Sequence, residues 1–88
     1  MIFNEFKINK VSFLNRIIVS PMCQYSAQDG SPTLWHYNHL SSLINSGAGG
    51  LMLESTAINS EGKITHGDLS ISNNRQIKEI KKLIKYLK

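Results

Sequence analysis

The sequence has a single cysteine, Cys23, too few for an intrachain disulfide framework or a cysteine-based zinc site. No apolar stretch approaches the roughly 20 residues that cross a bilayer. The first residues, Met1 to Lys7, hold no apolar core of signal-peptide length. These absences argue against a membrane association, and a lone thiol fits a soluble, cytoplasmic protein. Histidine is scarce as well: His36, His39 and His66 are the only three, and no His-Glu-x-x-His pattern is present. His36 and His39 lie three apart on a helical stretch and so share a side. A catalytic zinc takes a third protein ligand and keeps an open position, so no metal is expected and the histidines are read as bonding a loop backbone. Charged residues make up 18% and apolar ones 41%, both somewhat low for a globular chain and neither low enough to suggest disorder.

The net charge of +4 invites a nucleic-acid reading, but half of the ten basic residues are Lys78, Lys81, Lys82, Lys85 and Lys88. They occupy the polar side of a helical pattern in which Ile77, Ile80, Leu83, Ile84 and Leu87 form the apolar stripe. A phosphate-binding surface interleaves arginines and aromatics with its lysines, and only Tyr86 is close by. A solvated helix face is expected, with no nucleic-acid partner.

What is present is an alternation of short elements. Ile8 to Phe13 alternates in part, and Asn9-Lys10 can turn a small hairpin. Ile17-Ile18-Val19 is a β-branched run, apolar on both faces, as in a parallel strand covered on both sides. It is closed by Pro21, which cannot donate to a ladder. Residues 26–33 are a loop by composition, with Asp29-Gly30 as its turn. Thr33 is placed to cap a helix through Leu34, Trp35, Tyr37, Leu40, Leu43 and Ile44, with Gly47 as the stop. Gly47-Ala48-Gly49-Gly50 precedes a strand instead of following one. It is therefore a helix-to-strand turn and not a dinucleotide-binding loop. Leu51-Met52-Leu53 is a second short strand, ending at Glu54-Ser55-Thr56-Ala57. A polar segment, Ile58 to Asn74, follows with turn points at Gly62 and Gly67. The last helix is capped by Asn73 or Asn74.

The order hairpin, β, α, β, α is the repeat of an α/β fold. Eighty-eight residues fit one domain at most, and a chain of that size buries only about 60–65% of the surface its unfolded form exposes. Two strands also leave both edges unpaired. The pattern therefore implies an incomplete architecture. In parallel α/β proteins the C-terminal strand ends carry the ligand site. Here those ends hold Ser20-Pro21-Met22-Cys23 and Glu54-Ser55-Thr56. A thiol and hydroxyls there suit a functional site, while Cys23 could equally be a small buried hydrophobe.

The segment Asn15-Arg16-Ile17-Ile18-Val19-Ser20-Pro21-Met22-Cys23-Gln24-Tyr25-Ser26 resembles the first barrel strand of the old yellow enzyme family, closest to its cysteine-bearing bacterial ene-reductase branch. Thr33-Leu34-Trp35-His36-Tyr37-Asn38-His39 is similar to that family's first helix. Gly49 to Ala57 is similar to its second strand, and Glu61-Gly62-Lys63 with Asp68-Leu69 to the loop beyond. The resemblance implies an N-terminal β-hairpin plus the first two βα units of a TIM (β/α)8 barrel, residues 1–88 forming the N-terminal part of an FMN-binding domain. It implies FMN as cofactor, NAD(P)H as electron donor and a small enone-type substrate. By position, Ser20, Pro21, Met22 and Cys23 are expected to line the flavin, with the thiol tuning its reduction potential. Ser55 is expected against the flavin, where the family usually has a small residue, and Tyr25 on the substrate side as a catalytic candidate. Leu43-Ile44 departs from the Arg-Ala pair common in the family's first helix. The family's flavin-contacting glutamine, its substrate-holding donor pair and its phosphate-gripping residues have no counterpart in these 88 residues. The resemblance thus also admits an inactive remnant that does not bind FMN alone, one half of a split barrel completed by a separately encoded remainder, a related reductase such as a dienoyl-CoA reductase or an amine dehydrogenase, and, for the full-length form, a homo-oligomer.

Overall fold

A computed structural model describes all of residues 1–88. The chain begins with a hairpin of β1 (Phe6–Ile8) and β2 (Val11–Phe13), antiparallel with Phe6 opposite Phe13. Asn9 turns it with a left-handed φ of 52°, a conformation asparagine tolerates better than most residues. Phe6 and Phe13 stack at 5.0 Å, and the Arg16 guanidinium lies 5.1 Å from the Phe6 ring. A Cβ on Gly50 would come within 3.2 Å of the Phe13 ring, so the hairpin sits close against the start of the strand that follows the first helix.

β3 (Ile18–Val19) pairs in parallel with β4 (Gly50–Leu51), Ile18 opposite Gly50 and Val19 opposite Leu51. The ladder extends on both sides, because Gly49 N–H donates to Ile17 O at 2.8 Å and Met52 N–H to Val19 O at 3.0 Å. The pairing is thus centred slightly earlier in the second strand than Leu51-Met52-Leu53. Asn15 fixes this register, its Nδ2 donating to Gly47 O (2.8 Å) and its Oδ1 accepting from Ile17 N–H (3.0 Å). Gly49 lies so close to the Asn15 carbonyl that a side chain there would collide with it.

Between the two strands runs α1 (Leu34–Ile44), capped by Thr33 and ending just ahead of Gly47, whose φ is 99°. The expected polar stretch after β4 is more ordered than its composition suggests. Thr56-Ala57, expected as the close of the second strand, form a separate β5 (Thr56–Ala57), and the polar stretch beyond holds a 3₁₀ turn (Ser60–Gly62) and β6 (Leu69–Ser70), parallel to β5. Two-residue strands in a Ser- and Asn-rich segment carry no usable periodicity, which is why the pattern does not announce them. α2 (Asn74–Leu87) follows, Asn73 Oδ1 accepting from Gln76 N–H at 2.9 Å as its cap. All five lysines named above are exposed.

The core is small. Leu40, Leu69, Ile80 and Leu83 are its buried apolar residues, where α1, β6 and α2 meet, and Tyr37 meets Tyr86 edge-on at 5.0 Å. Three separate two-stranded sheets leave their outer edges unpaired, and nineteen large apolar side chains are exposed. That imbalance matches layers that carry further elements in a larger architecture.

Candidate functional site

The loop after β3 carries most of the candidate residues, and the rest of the chain holds it from three directions. At its far end Gln28 and Ser31 exchange backbone hydrogen bonds across Asp29 (φ 50°) and Gly30 (φ 77°). Two left-handed central residues make the tight turn for which Asp-Gly is suited. Gly30 O accepts from Ser70 N–H at 2.9 Å, and Asp29 O from the buried Gln76 side chain at 2.8 Å. A Cβ on Gly30 would come within 2.5 Å of Gln76 Nε2, so β6 and α2 press directly on the turn.

Nearer β3, Gln24 is the organiser. Its Nε2 donates to Met22 O (2.9 Å), its Oε1 accepts from Trp35 Nε1–H (3.0 Å), and its backbone O accepts from Ser26 Oγ (2.9 Å). Ser26 O in turn accepts from Thr33 Oγ1 at 2.9 Å. The loop is therefore stitched to the first turn of α1. Tyr25 has a left-handed φ of 55° and stands 65% exposed. Gly67 lies against its backbone: a Cβ there would be 2.5 Å from the Tyr25 carbonyl carbon and oxygen. Ala27 N–H donates to Gly67 O at 3.0 Å.

Gly67 is itself held by Asp68. The Asp68 carboxylate accepts from Ile64 N–H (2.8 Å), Thr65 N–H (3.2 Å) and Thr65 Oγ1 (3.0 Å). Burial pushes this carboxyl up, but the Thr65 hydroxyl, the two amides and the Lys63 charge together hold it below its usual 3.8. A carboxyl held low stabilises the fold above its unfolded value and loses that contribution as pH falls through the folded value. Exchange protection of the Ile64 and Thr65 amides is expected to persist down to about pH 3.8 and fade below it. Asp68→Asn should weaken that protection at neutral pH and flatten its pH dependence, as amide exchange followed by NMR would show.

Of the residues expected at the strand ends, Ser20, Pro21, Met22 and Ser55 are exposed, Cys23 is half-buried, and Tyr25 projects outward. Ser20 and Met22 share a small void of about 10 Å³ with Met52 and Glu54, which places the end of β3 beside the residues next to Ser55. His36 bonds a loop backbone, as expected. It stands at the third position of α1, and its Nδ1 accepts from Thr33 N–H at 3.0 Å, completing a capping box in which histidine replaces the usual glutamate. His39 instead stacks on Trp35 at 5.6 Å.

What the sequence pattern did not single out is Glu54. It is 7% exposed, and its Oε2 lies 3.4 Å from Nε2 of the wholly buried His36. His36 Nε2 and Glu54 Oε1 have no hydrogen-bond partner. Burial holds the His36 imidazole below 6.5, aided by His39 and opposed by the Thr33 backbone. Burial likewise raises the Glu54 carboxyl above 4.5, aided by Asp68 and opposed by the Gln24 amide. A glutamate closing an apolar strand run was the one available signal.

A family model described as the NADH:flavin oxidoreductase / NADH oxidase family matches residues 1–88. An NADH:flavin oxidoreductase of Gibberella zeae is 40% identical over 82 residues, 93% of this chain and 20% of that protein. An NADPH dehydrogenase of Listeria monocytogenes serotype 4b is 40% identical over 85 residues, 94% of this chain and 25% of that protein. The chain thus spans about a fifth to a quarter of the length of these curated relatives. Among solved structures, morphinone reductase superposes with a TM-score of 0.86 at 19% identity, covering 98% of this chain and 22% of that one. A variant of NCR from Zymomonas mobilis gives 0.84 at 20% identity, covering 98% and 28%. These superpositions establish a shared fold.

Proposed function

The chain belongs to the NADH:flavin oxidoreductase / NADH oxidase family, and on that footing we propose that it supplies the hairpin, the first two strand–helix units and one wall of the FMN site of a TIM-barrel ene-reductase. In this reading β3 and β4 are the first two barrel strands, and the hairpin closes the end opposite the chemistry. The observation that carries the proposal is their parallel pairing, Val19 opposite Leu51. It sets Ser20–Cys23 and Ser55 at adjacent C-terminal strand ends, the end at which such barrels carry their active sites.

The side chains present suit one flank of a flat, largely apolar ring with polar edges. Met22 and Met52 are 52% and 58% exposed beside each other, and Ser20 and Ser55 are small enough to leave room. FMN, when bound, supplies a carrier that accepts hydride from a nicotinamide and passes it to an activated alkene such as an enone. Ser20, Pro21, Met22 and Ser55 bind and orient the ring. The Cys23 thiol, a soft weak donor, biases the charge that the reduced ring can hold. Tyr25 faces the substrate. A nicotinamide donor is supported by the relatives named NADPH dehydrogenase and NADH:flavin oxidoreductase.

The remaining walls, including phosphate contacts that such barrels place after strands 7 and 8, come from outside these residues. Expressed alone, the 88 residues are expected to lose FMN on desalting. Joined to the unmatched three-quarters of the Listeria relative, they are expected to keep flavin absorbance and to oxidise NADPH in the presence of an enone. A folded, colourless fusion would overturn the proposal. Cys23→Ala in the fusion should move the flavin reduction potential while leaving FMN retained.

A further inference from the structure

The buried pair formed by His36 and Glu54 lies outside the wall just described, yet it touches both ends of it. Glu54 immediately precedes Ser55 and lines the same small void as Ser20, Met22 and Gln24. Gln24 stands between Cys23 and Tyr25. His36 belongs to the cap of α1, whose Thr33 also bonds Ser26 in the same loop. One carboxylate and one imidazole therefore join the end of β4, the loop after β3 and the start of α1.

We propose that Glu54, held in place by His36, is a positioning residue that sets the Met22–Tyr25 segment against the end of β4. The bearing of this on flavin chemistry rests on the FMN wall proposed above. Three observations support it. Because Nδ1 of His36 accepts from Thr33 N–H, the neutral ring carries its proton on Nε2, the nitrogen that lies 3.4 Å from Glu54 Oε2. A cationic ring would place a second donor at Nδ1 against the Thr33 amide, so the capping bond itself selects the neutral form. Glu54 Oε1 is buried without a partner on its own side, and leaving a buried acceptor unpaired is unfavourable. Finally, Glu54 lines the same small void as Met22 and Gln24, so its carboxyl lies against the segment it is proposed to position, and the Gln24 backbone favours its ionised form.

The charged or titratable groups facing this pair are His39, on α1, and Asp68, ahead of β6. Neither hydrogen-bonds Glu54, so a titration at the Gln24 amide is expected to report Glu54, and substitution checks that assignment.

The experiment uses the full chain and two local probes, the Gln24 amide resonance and the lone thiol of Cys23. In the unaltered chain the Gln24 amide proton shift is expected to titrate with a midpoint above 4.5, the ordinary glutamate value. Glu54→Gln, which keeps the shape and an acceptor oxygen, should abolish that titration while Cys23 alkylation at neutral pH stays near its original rate. Glu54→Ala should speed alkylation roughly tenfold, as expected when a buried contact that limits local opening is lost. A Gln24 shift that ignores pH, or equal alkylation rates in the Gln and Ala variants, overturns the proposal. In the FMN-loaded protein, Glu54→Gln should also remove a pH dependence from the flavin potential. If the fusion with the rest of the barrel folds but binds no FMN, the wall reading falls, while the Gln24 and Cys23 measurements on this chain still decide the role of Glu54.

Discussion

Replacing Gly67 with alanine is expected to dislodge Tyr25 and to be among the most damaging single changes outside the core. The added methyl would sit 2.5 Å from the Tyr25 carbonyl carbon and oxygen and 2.7 Å from its Cα. All three are backbone atoms, so no side-chain rotation relieves the clash. Tyr25 already holds a left-handed φ of 55°, a conformation that an ordinary residue keeps only when its surroundings impose it. Pushing the two loops apart also strains the Ala27 N–H to Gly67 O bond. Overpacking of this kind destabilises by about 1–3 kcal/mol, and loss of the Tyr25 conformation adds a functional effect. The expected result is a lowered denaturation midpoint, rapid exchange at the Ala27 amide and, in a complete FMN-loaded barrel, a rise in KM for the enone that exceeds the fall in kcat. Gly67→Ser should behave the same way, because the clash begins at Cβ. An alanine variant with wild-type exchange at Ala27 would show that Gly67 does not hold this loop.

Leu83→Ala is expected to be larger still in stability. Leu83 is fully buried, one of four buried apolar residues in the chain. Truncating such a leucine typically costs about 2–5 kcal/mol, depending on how far the site collapses. A chain of this size has little in reserve, with total stabilities commonly about 0.05–0.15 kcal/mol per residue. Leu83 joins α2 to the elements on which the loop after β3 rests. Its loss should therefore release Gln76 from Asp29 as well as unpack the helix. Circular dichroism on heating should show the variant largely unfolded where the parent is folded. Lys82→Ala, one residue away and paired only with half-buried Glu79 at 3.2 Å through its own exposed ammonium, should change stability by less than about 0.5 kcal/mol, since solvent-screened surface pairs contribute little.

The contrast between what the sequence discloses and what it conceals follows from range. Caps and stripes are local: Thr33, Asn73 and the Ile80/Leu83 periodicity predict both helices, and all three signals act within a turn or two of the residues they govern. The Asp29-Gly30 turn and the Asn9-Lys10 hairpin are legible for the same reason. The parallel pair β5–β6 is not, because its partners are thirteen positions apart, Thr56 with Leu69, and neither strand is long enough to alternate. The strand ends bearing Ser20–Cys23 and Ser55 could be picked out by position. The pairing of Glu54 with His36 could not. Each residue alone has an ordinary local role, one closing a strand and one capping a helix, and only the packing of α1 across the strands brings them to 3.4 Å. Tyr25 could be named from its place in the motif, but its left-handed backbone depends on Gly67, which lies in a segment whose composition suggested only a turn.

The hydrogen bond from Gln76 to Asp29 spans 47 positions of sequence, and it bears on the order in which the chain folds. The first strand and its loop leave the ribosome well before the residue that pins them. Closing so long a loop is entropically unfavourable until the far partner is structured, and contacts of this separation slow folding relative to local ones. The loop that forms the proposed flavin wall must therefore wait, incompletely formed, until α2 has formed and packed. During that interval Met22 and Cys23 face solvent without their supporting layer. The residues read first along the chain are in this sense the last to be finished, and the interval before α2 docks is when the nascent site is most open to aggregation or oxidation.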